Sequence, residues 1–189
     1  MMLRDGDRQR LLVAITESMS ATPFCDSNGI MRPRYLNSHK LLASPAILRL
    51  CSEILHDFVQ RTDATYLVGL AMGGCCLAGA ISVLSVETAR PIPVAMIRDR
   101  EKTHGYVGLL NHDIGSGQKV CIIDDVISTG ASMRRALDIL ARQDATVVGI
   151  AAAIRRGDTG VEALESLGHK VHTIVDLYEA KTELTASPV

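Results

Sequence analysis

The chain has 189 residues, 47% of them hydrophobic, which is enough for one domain with a proper core; with aromatics at 3%, aliphatic side chains must fill it. The formal net charge of −1 lacks the basic excess of a bulk nucleic-acid binder. No apolar run reaches the roughly 18 residues that would span a membrane, and the charged opening MMLRDGDRQR has no signal-peptide apolar core. The cysteines (Cys25, Cys51, Cys75, Cys76, Cys121) are odd in number and form no CxxC pair. That usage fits a reducing cytoplasm, with the thiols acting as small buried hydrophobes. The expectation is a soluble cytosolic protein that binds neither nucleic acid nor membrane.

In chain order, residues 7–18 and 45–62 read as helices, the second opened by Ser44 as cap and Pro45 at the first position. Between them CDSNGIMRPRYLNS reads as a turn-rich hairpin, with Asn28-Gly29 as the turn signal. From residue 66 the pattern becomes rhythmic. YLVGL is a short apolar run, CCLAGAISVL reads as helix, and IPVAMI and KVCII are apolar. ASMRRALDILARQ is amphipathic, with Met133, Ala136, Leu137, Leu140 and Ala141 on one face. TVVGIAAAI is apolar, GVEALESLG is helical and ends at the C-cap type Gly168, and KVHTIV is a last strand. Strands alternating with helices predict an α/β fold with a parallel sheet covered on both faces. We expect a single domain over 1–189, with helices and a small hood in 1–62 and the sheet core in 63–180.

The stretch VCIIDDVISTGAS, residues 120–132, concentrates the chemistry. Its apolar half is a buried strand, and Asp124 and Asp125 stand at the carboxyl end, where open α/β sheets bind ligands. Ser128, Thr129, Gly130, Ala131 and Ser132 form a tight turn into a helix N-terminus, a site for anions. Two carboxylates beside a phosphate would repel it unless they accept hydrogen bonds or meet a metal ion. A sugar phosphate satisfies both halves: hydroxyls donate to the acids and the phosphate fills the turn. An acidic strand end of the response-regulator kind, or a metal site, leaves the Ser-Thr-Gly-Ala-Ser turn unexplained. No GxxxxGK[ST] is present to support a P-loop nucleotidase.

This stretch resembles the phosphoribosyl pyrophosphate (PRPP) motif of the type I phosphoribosyltransferases. The resemblance implies that Asp124 and Asp125 hold the ribose hydroxyls and that residues 128–132 hold the 5-phosphate. IRDREKTHGYVG, residues 97–108, resembles the catalytic loop of the orotate phosphoribosyltransferases, R-K-x-x-K-x-H-G, with Arg98, Lys102, His104 and Gly105 matching. Asp99 stands where the family usually has lysine. A solvated charged loop is the bland alternative. GLAMGGCCLAGA resembles the family's pyrophosphate loop, with Met72, Gly73 and Gly74 offering backbone N–H groups to a diphosphate. AAIRRGDTG resembles its D-R-x-E-G-G segment, placing Arg156 on the orotate carboxylate with Ser128 nearby, Asp158 as the acid, and Arg155 in place of the usual aspartate. The hood matches F-x-L-x-S-G-x-x-S-P-Y-x-x-N at Phe24, Gly29, Pro33 and Asn37, but Asn28, Ile30 and Arg32 depart from it.

The resemblance implies the type I phosphoribosyltransferase fold and orotate phosphoribosyltransferase activity. The 5-phosphoribosyl group of PRPP would pass to orotate, with Lys102, His104 and Asp125 catalytic and Arg98 joining the PRPP contacts. Mg²⁺ is expected to ride on PRPP oxygens with no direct protein ligand, in a homodimer whose active sites share loops. Two other readings stay open: transfer to another heterocyclic base, which the departures in the hood suggest, and a PRPP-sensing regulatory paralogue, which Asp99 suggests. His169 and His172 form HxxH on an expected strand with no third ligand near in sequence, which favours packing over zinc.

Overall fold

In the computed structural model, residues 4–25, 31–32, 34–102 and 108–178 are described, for Arg32 and Lys102 the backbone alone. The rhythm from residue 66 folds as expected. Strands β3 (Tyr66–Leu70), β4 (Val94–Lys102), β5 (Gly108–Leu110), β6 (Lys119–Ile127), β7 (Thr146–Arg155) and β8 (Val171–Asp176) form one sheet in the order β5-β4-β3-β6-β7-β8. All pairings are parallel except β4–β5. Helix α4 (Ala71–Ser85) follows β3, α5 (Ala131–Ala141) follows β6, and α6 (Thr159–Ser166) follows β7. Gly168, just past α6, takes φ 87°, a left-handed turn that glycine adopts without steric cost.

The central strand β6 sorts its side chains by alternation. Cys121 and Ile123 enter one core with Leu55, Leu77 and Ile81, while Val120 and Ile122 enter the other with Met133, Leu140 and Leu164. Helix α3 (Pro45–Gln60) and α4 therefore cover one face and α5 and α6 the other. Both faces of β6 are dry, which is why it reads as an unbroken apolar run. Helix α1 (Asp5–Glu17) joins the first core through Leu11, Leu12 and Ile15.

Three elements differ from the sequence reading. A five-residue helix α2 (Ser38–Leu42) precedes α3, capped by Asn37, whose side chain accepts the Lys40 N–H at 3.0 Å. The charged stretch through Lys102 is strand, not loop, because β5 pairs back on it, with Ile97 opposite Leu110 and Lys102 opposite Gly108. The paired glycines after β3 lie in the first turn of α4, not in a loop. The hood is a short hairpin of β1 (Phe24–Cys25) and β2 (Met31–Arg32), with Phe24 edge-on to Tyr35 at 4.8 Å. Its expected turn, Asn28-Gly29, lies outside the described residues, as does Pro33. Cys51 and Cys121 are buried as small hydrophobes, whereas Cys25 and Cys76 are exposed and Cys75 is half-buried.

Candidate active site

Strand order places the site. The chain leaves β3 toward β4 on one side and continues from β6 toward β7 and β8 on the other. The reversal lies between β3 and β6, and such a switch opens a crevice at the carboxyl ends of the two strands. The end of β3 with the first turn of α4 therefore faces Asp124 and Asp125. The approach is close: a Cβ on Gly73 would lie 2.1 Å from Asp125 Oδ2, and one on Gly74 would lie 2.5 Å from the Ile123 carbonyl oxygen. Both glycines are buried. Their missing side chains let α4 approach β6, so their first consequence is packing against the acids. Met72 beside them is exposed. Ala71, at the junction, adopts φ 48°, a conformation that L residues rarely take.

The two acids differ. Asp124 is buried at 7% exposure and its Oδ1 accepts the Asp125 N–H at 2.9 Å. Asp125 is half-buried and its Oδ1 accepts the Val126 N–H at 2.8 Å. Burial, then the neighbouring Asp125 carboxylate, pushes the Asp124 carboxyl well above the usual range; Asp99 across the crevice adds to the same direction. This arrangement favours a ligand that donates hydrogen bonds to the acids, as a vicinal diol does.

Beyond them Ser128, Thr129, Gly130, Ala131 and Ser132 curl around a hollow of about 80 Å³. The hollow has room for a small anion at the helix start. Gly130 sits at φ 73° as the N-cap of α5, and no side chain caps that helix end. Its first N–H groups are thus left to an anion. A Cβ on Gly160 would lie 2.2 Å from the Ser128 carbonyl oxygen and 2.9 Å from the Gly130 nitrogen. The start of α6 thus backs the turn, main chain against main chain.

The crevice continues as a cleft of about 260 Å³ between the ends of β3, β4 and β6 and the first turns of α5. Arg98 and Asp99 of β4 line it. The Arg98 guanidinium donates from one nitrogen to the carbonyls of Gly108 at 3.2 Å and Leu110 at 2.6 Å. It braces the β4–β5 hairpin. The side chain of Lys102, together with His104 and Gly105, lies outside the described residues.

On the other flank the Arg156 N–H donates to the Ile127 carbonyl at 2.8 Å, pinning the end of β7 beside Ser128. Arg156 is half-buried, and among the described residues its guanidinium has no partner. Arg155 turns elsewhere: its Nε lies 2.8 Å from Oδ2 of the buried Asp176 and its Nη1 3.1 Å from Asp158 Oδ1. The adjacent arginines thus divide the work, one held in an ion-pair network, the other free to meet an anion.

Residues 37–174 match the phosphoribosyl transferase domain family. The chain belongs to that family. It is 32% identical over 151 residues to an orotate phosphoribosyltransferase of Pyrococcus abyssi, covering 77% of this chain and 80% of that one. It is 31% identical over 158 residues to one of Listeria monocytogenes, covering 83% and 74%. Among solved structures, an orotate phosphoribosyltransferase of Mycobacterium tuberculosis in complex with Fe(III) dicitrate superposes with a TM-score of 0.77 at 23% identity, over 92% of this chain and 98% of that one.

Two residues of this site escaped the sequence reading, and a third, Gly160, was read as the end of the segment AAIRRGDTG, with no part in shaping the neighbouring turn. Asp176 is an acid at the end of an apolar strand, the same signal that exposed Asp124, but without a glycine-hydroxyl turn after it. Arg135 sits on the polar side of an amphipathic helix, where a charge ordinarily means a solvated face. In the structure it lines the cleft, and both terminal nitrogens donate to the Asp99 carbonyl oxygen at 3.2 Å.

Proposed function

We propose that this protein is an orotate phosphoribosyltransferase, transferring the 5-phosphoribosyl group of PRPP to orotate. The observation that carries the reading is the continuous surface from the unfilled N-terminus of α5 to the paired acids: phosphate hollow, then diol-accepting carboxylates, then an open cleft. A ribose held by its 5-phosphate and its 2- and 3-hydroxyls presents C1 to that cleft. In the transfer, the C1–O bond breaks with its electron pair going to pyrophosphate, the orotate N1–C1 bond forms, and the proton lost from N1 is taken up by the departing pyrophosphate. The ring gains oxocarbenium character on the way, and the carboxylate of Asp125, holding the ribose, would stabilise that charge. Arg156, half-buried and without a side-chain partner among the described residues, suits the orotate carboxylate as a bidentate donor, with Ser128 beside it.

Mg²⁺ fits the chemistry of the cleft, whose oxygen donors are hard carboxylates. In this reading the ion would be carried on the PRPP oxygens, with Asp124 and Asp125 accepting from the ribose hydroxyls. When bound it supplies neutralising charge to the diphosphate leaving group.

We place the active unit as a homodimer in the cytoplasm. Helix α4 supports the dimer: Met72, Cys76, Val83 and the capping Val86 are exposed along its outer side, and a Cβ on Gly79 would meet nothing. A helix apolar all round belongs in an interior, and a second copy would provide one. No helix among the described residues is long and apolar enough to cross a membrane.

Bases incubated with PRPP and Mg²⁺ and followed by pyrophosphate release test the activity. Orotate should react far faster than uracil. Equal rates would favour another heterocyclic acceptor, and binding of PRPP without turnover on any base would favour a sensor. Refolding Lys102→Ala with Asp125→Asn tests the shared site: random pairing of two dead parents should restore about a quarter of wild-type activity. A dead mixture in which heterodimers are verified would assign Lys102 to its own subunit.

A further inference from the structure

Three carboxylates, Asp99, Asp124 and Asp125, stand around the crevice, and the reading above brings a diphosphate to it. An acidic cleft repels that group unless a cation meets it from the same subunit or another. Of the two arginines lining the cleft, Arg98 is turned onto the β5 carbonyls. Arg135 is different. It stands one turn into α5, on the same helix start that closes the phosphate hollow, and it lines the cleft together with Ala71 and Asp124. Among the described residues its hydrogen-bond partner is a single carbonyl oxygen shared by two nitrogens at 3.2 Å, the long end of the N–H···O range. A phosphoryl oxygen is a stronger acceptor for a guanidinium fork than a neutral carbonyl, at a shorter distance.

We infer that Arg135 is a diphosphate-binding residue of this active site, exchanging the Asp99 carbonyl for the pyrophosphate oxygens of PRPP. It supplies within the subunit a positive charge where β4 presents the acidic Asp99. Its place on α5 also links the two ends of the substrate. The helix whose N-terminus holds the 5-phosphate carries, one turn later, the cation for the leaving group. The inference rests on the reading of this cleft as a PRPP site.

Calorimetric titration of pyrophosphate, PRPP with Mg²⁺, and ribose 5-phosphate into wild type, Arg135→Ala and Arg135→Lys tests it, with Arg142→Ala at the far end of α5 as a control for charge alone. Arg135→Ala should weaken pyrophosphate and PRPP by about tenfold or more and leave ribose 5-phosphate within about twofold. Arg135→Lys should regain part of the loss and Arg142→Ala should match wild type. Unchanged pyrophosphate binding in Arg135→Ala would overturn the assignment. So would an equal loss for all three ligands with a lowered Tm, which would make Arg135 a brace between α5 and β4. A wild type that binds pyrophosphate and PRPP but does not use orotate would sink the choice of base and leave this inference standing. A wild type that binds none of the three would end both.

Discussion

The turn after β6 and the turn after β7 lie side by side, at the ends of neighbouring parallel strands, yet they are built from different materials. On the function proposed above, the first would recognise a phosphate with its main chain. Gly130 in a left-handed conformation, the uncapped N-terminus of α5 and hydroxyls on either side form the hollow. On the same reading the second would recognise with one side chain, Arg156, beside an ion-pair network of Arg155, Asp158 and Asp176. Main-chain recognition constrains a run of consecutive residues. Side-chain recognition constrains one residue and tolerates exchange around it. That difference fits a turn after β6 that matches its family motif closely, and a turn after β7 that matches at Arg156 and departs at Arg155, as the hood also does.

The largest expected effect tests whether the two turns are mechanically one. In Gly160→Ala the new methyl meets the Ser128 carbonyl, a backbone atom that cannot swing aside. We expect a displaced phosphate turn and a loss of about 10²-fold in kcat/KM for PRPP, the scale on which a misplacement of about 1 Å acts. A near-wild-type kcat/KM would show that the turns adjust separately. Next, Arg156→Ala should raise the orotate KM by roughly 30-fold, about 2 kcal/mol at the low end for a truncated charged pair since the residue is half-buried, with the PRPP KM unchanged. Equal damage to both constants would erase the division between the two turns.

The smallest effect lies in stability. The folded Asp124 carboxyl holds its proton more tightly than the unfolded chain does, because of burial and then Asp125. Its contribution to stability is present below the ordinary carboxylate pKa and is lost as pH rises through the folded value. Asp124→Asn keeps an oxygen to accept the Asp125 N–H and removes the ionisation. Thermal melts should show a Tm a few degrees above wild type at pH 8, the gap closing at acid pH, while PRPP binding is lost. A variant that melts no higher at pH 8 would mean the acid is accommodated at no cost to the fold.

Legibility followed the same division. The β6–turn–α5 unit was readable because every signal in it is local: an apolar run, two acids, a glycine-hydroxyl turn, an amphipathic helix. The β4–β5 hairpin was not, since Arg98 to Lys102 are strand only because Gly108 to Leu110 return to pair with them, and three residues carry no periodicity of their own. The five residues of α2 are likewise too few to show a face. Gly73 and Gly74 read as loop because glycine is a poor helix former; what decides them is the nearness of β6, a fact of the third dimension. Arg135 and Asp99 are exposed charges in sequence terms, and strand order alone brings them to one cleft.

The β4–β5 pairing reaches past chemistry. Without β5, strand β4 would be the open edge of the sheet, offering a row of unpaired N–H and C=O groups beside the apolar Ile97. Asn111 extends the cover: its N–H donates to the Met96 carbonyl at 3.0 Å and its side-chain oxygen accepts the Met96 N–H at 2.8 Å. The same short strand that frames residues 103–107 is thus the seal that keeps the sheet from recruiting a strand from another molecule. Substitutions that unzip it, such as Asn111→Pro, would surface first as insolubility in the cell. A screen scoring activity alone would mistake a failed seal for a failed active site.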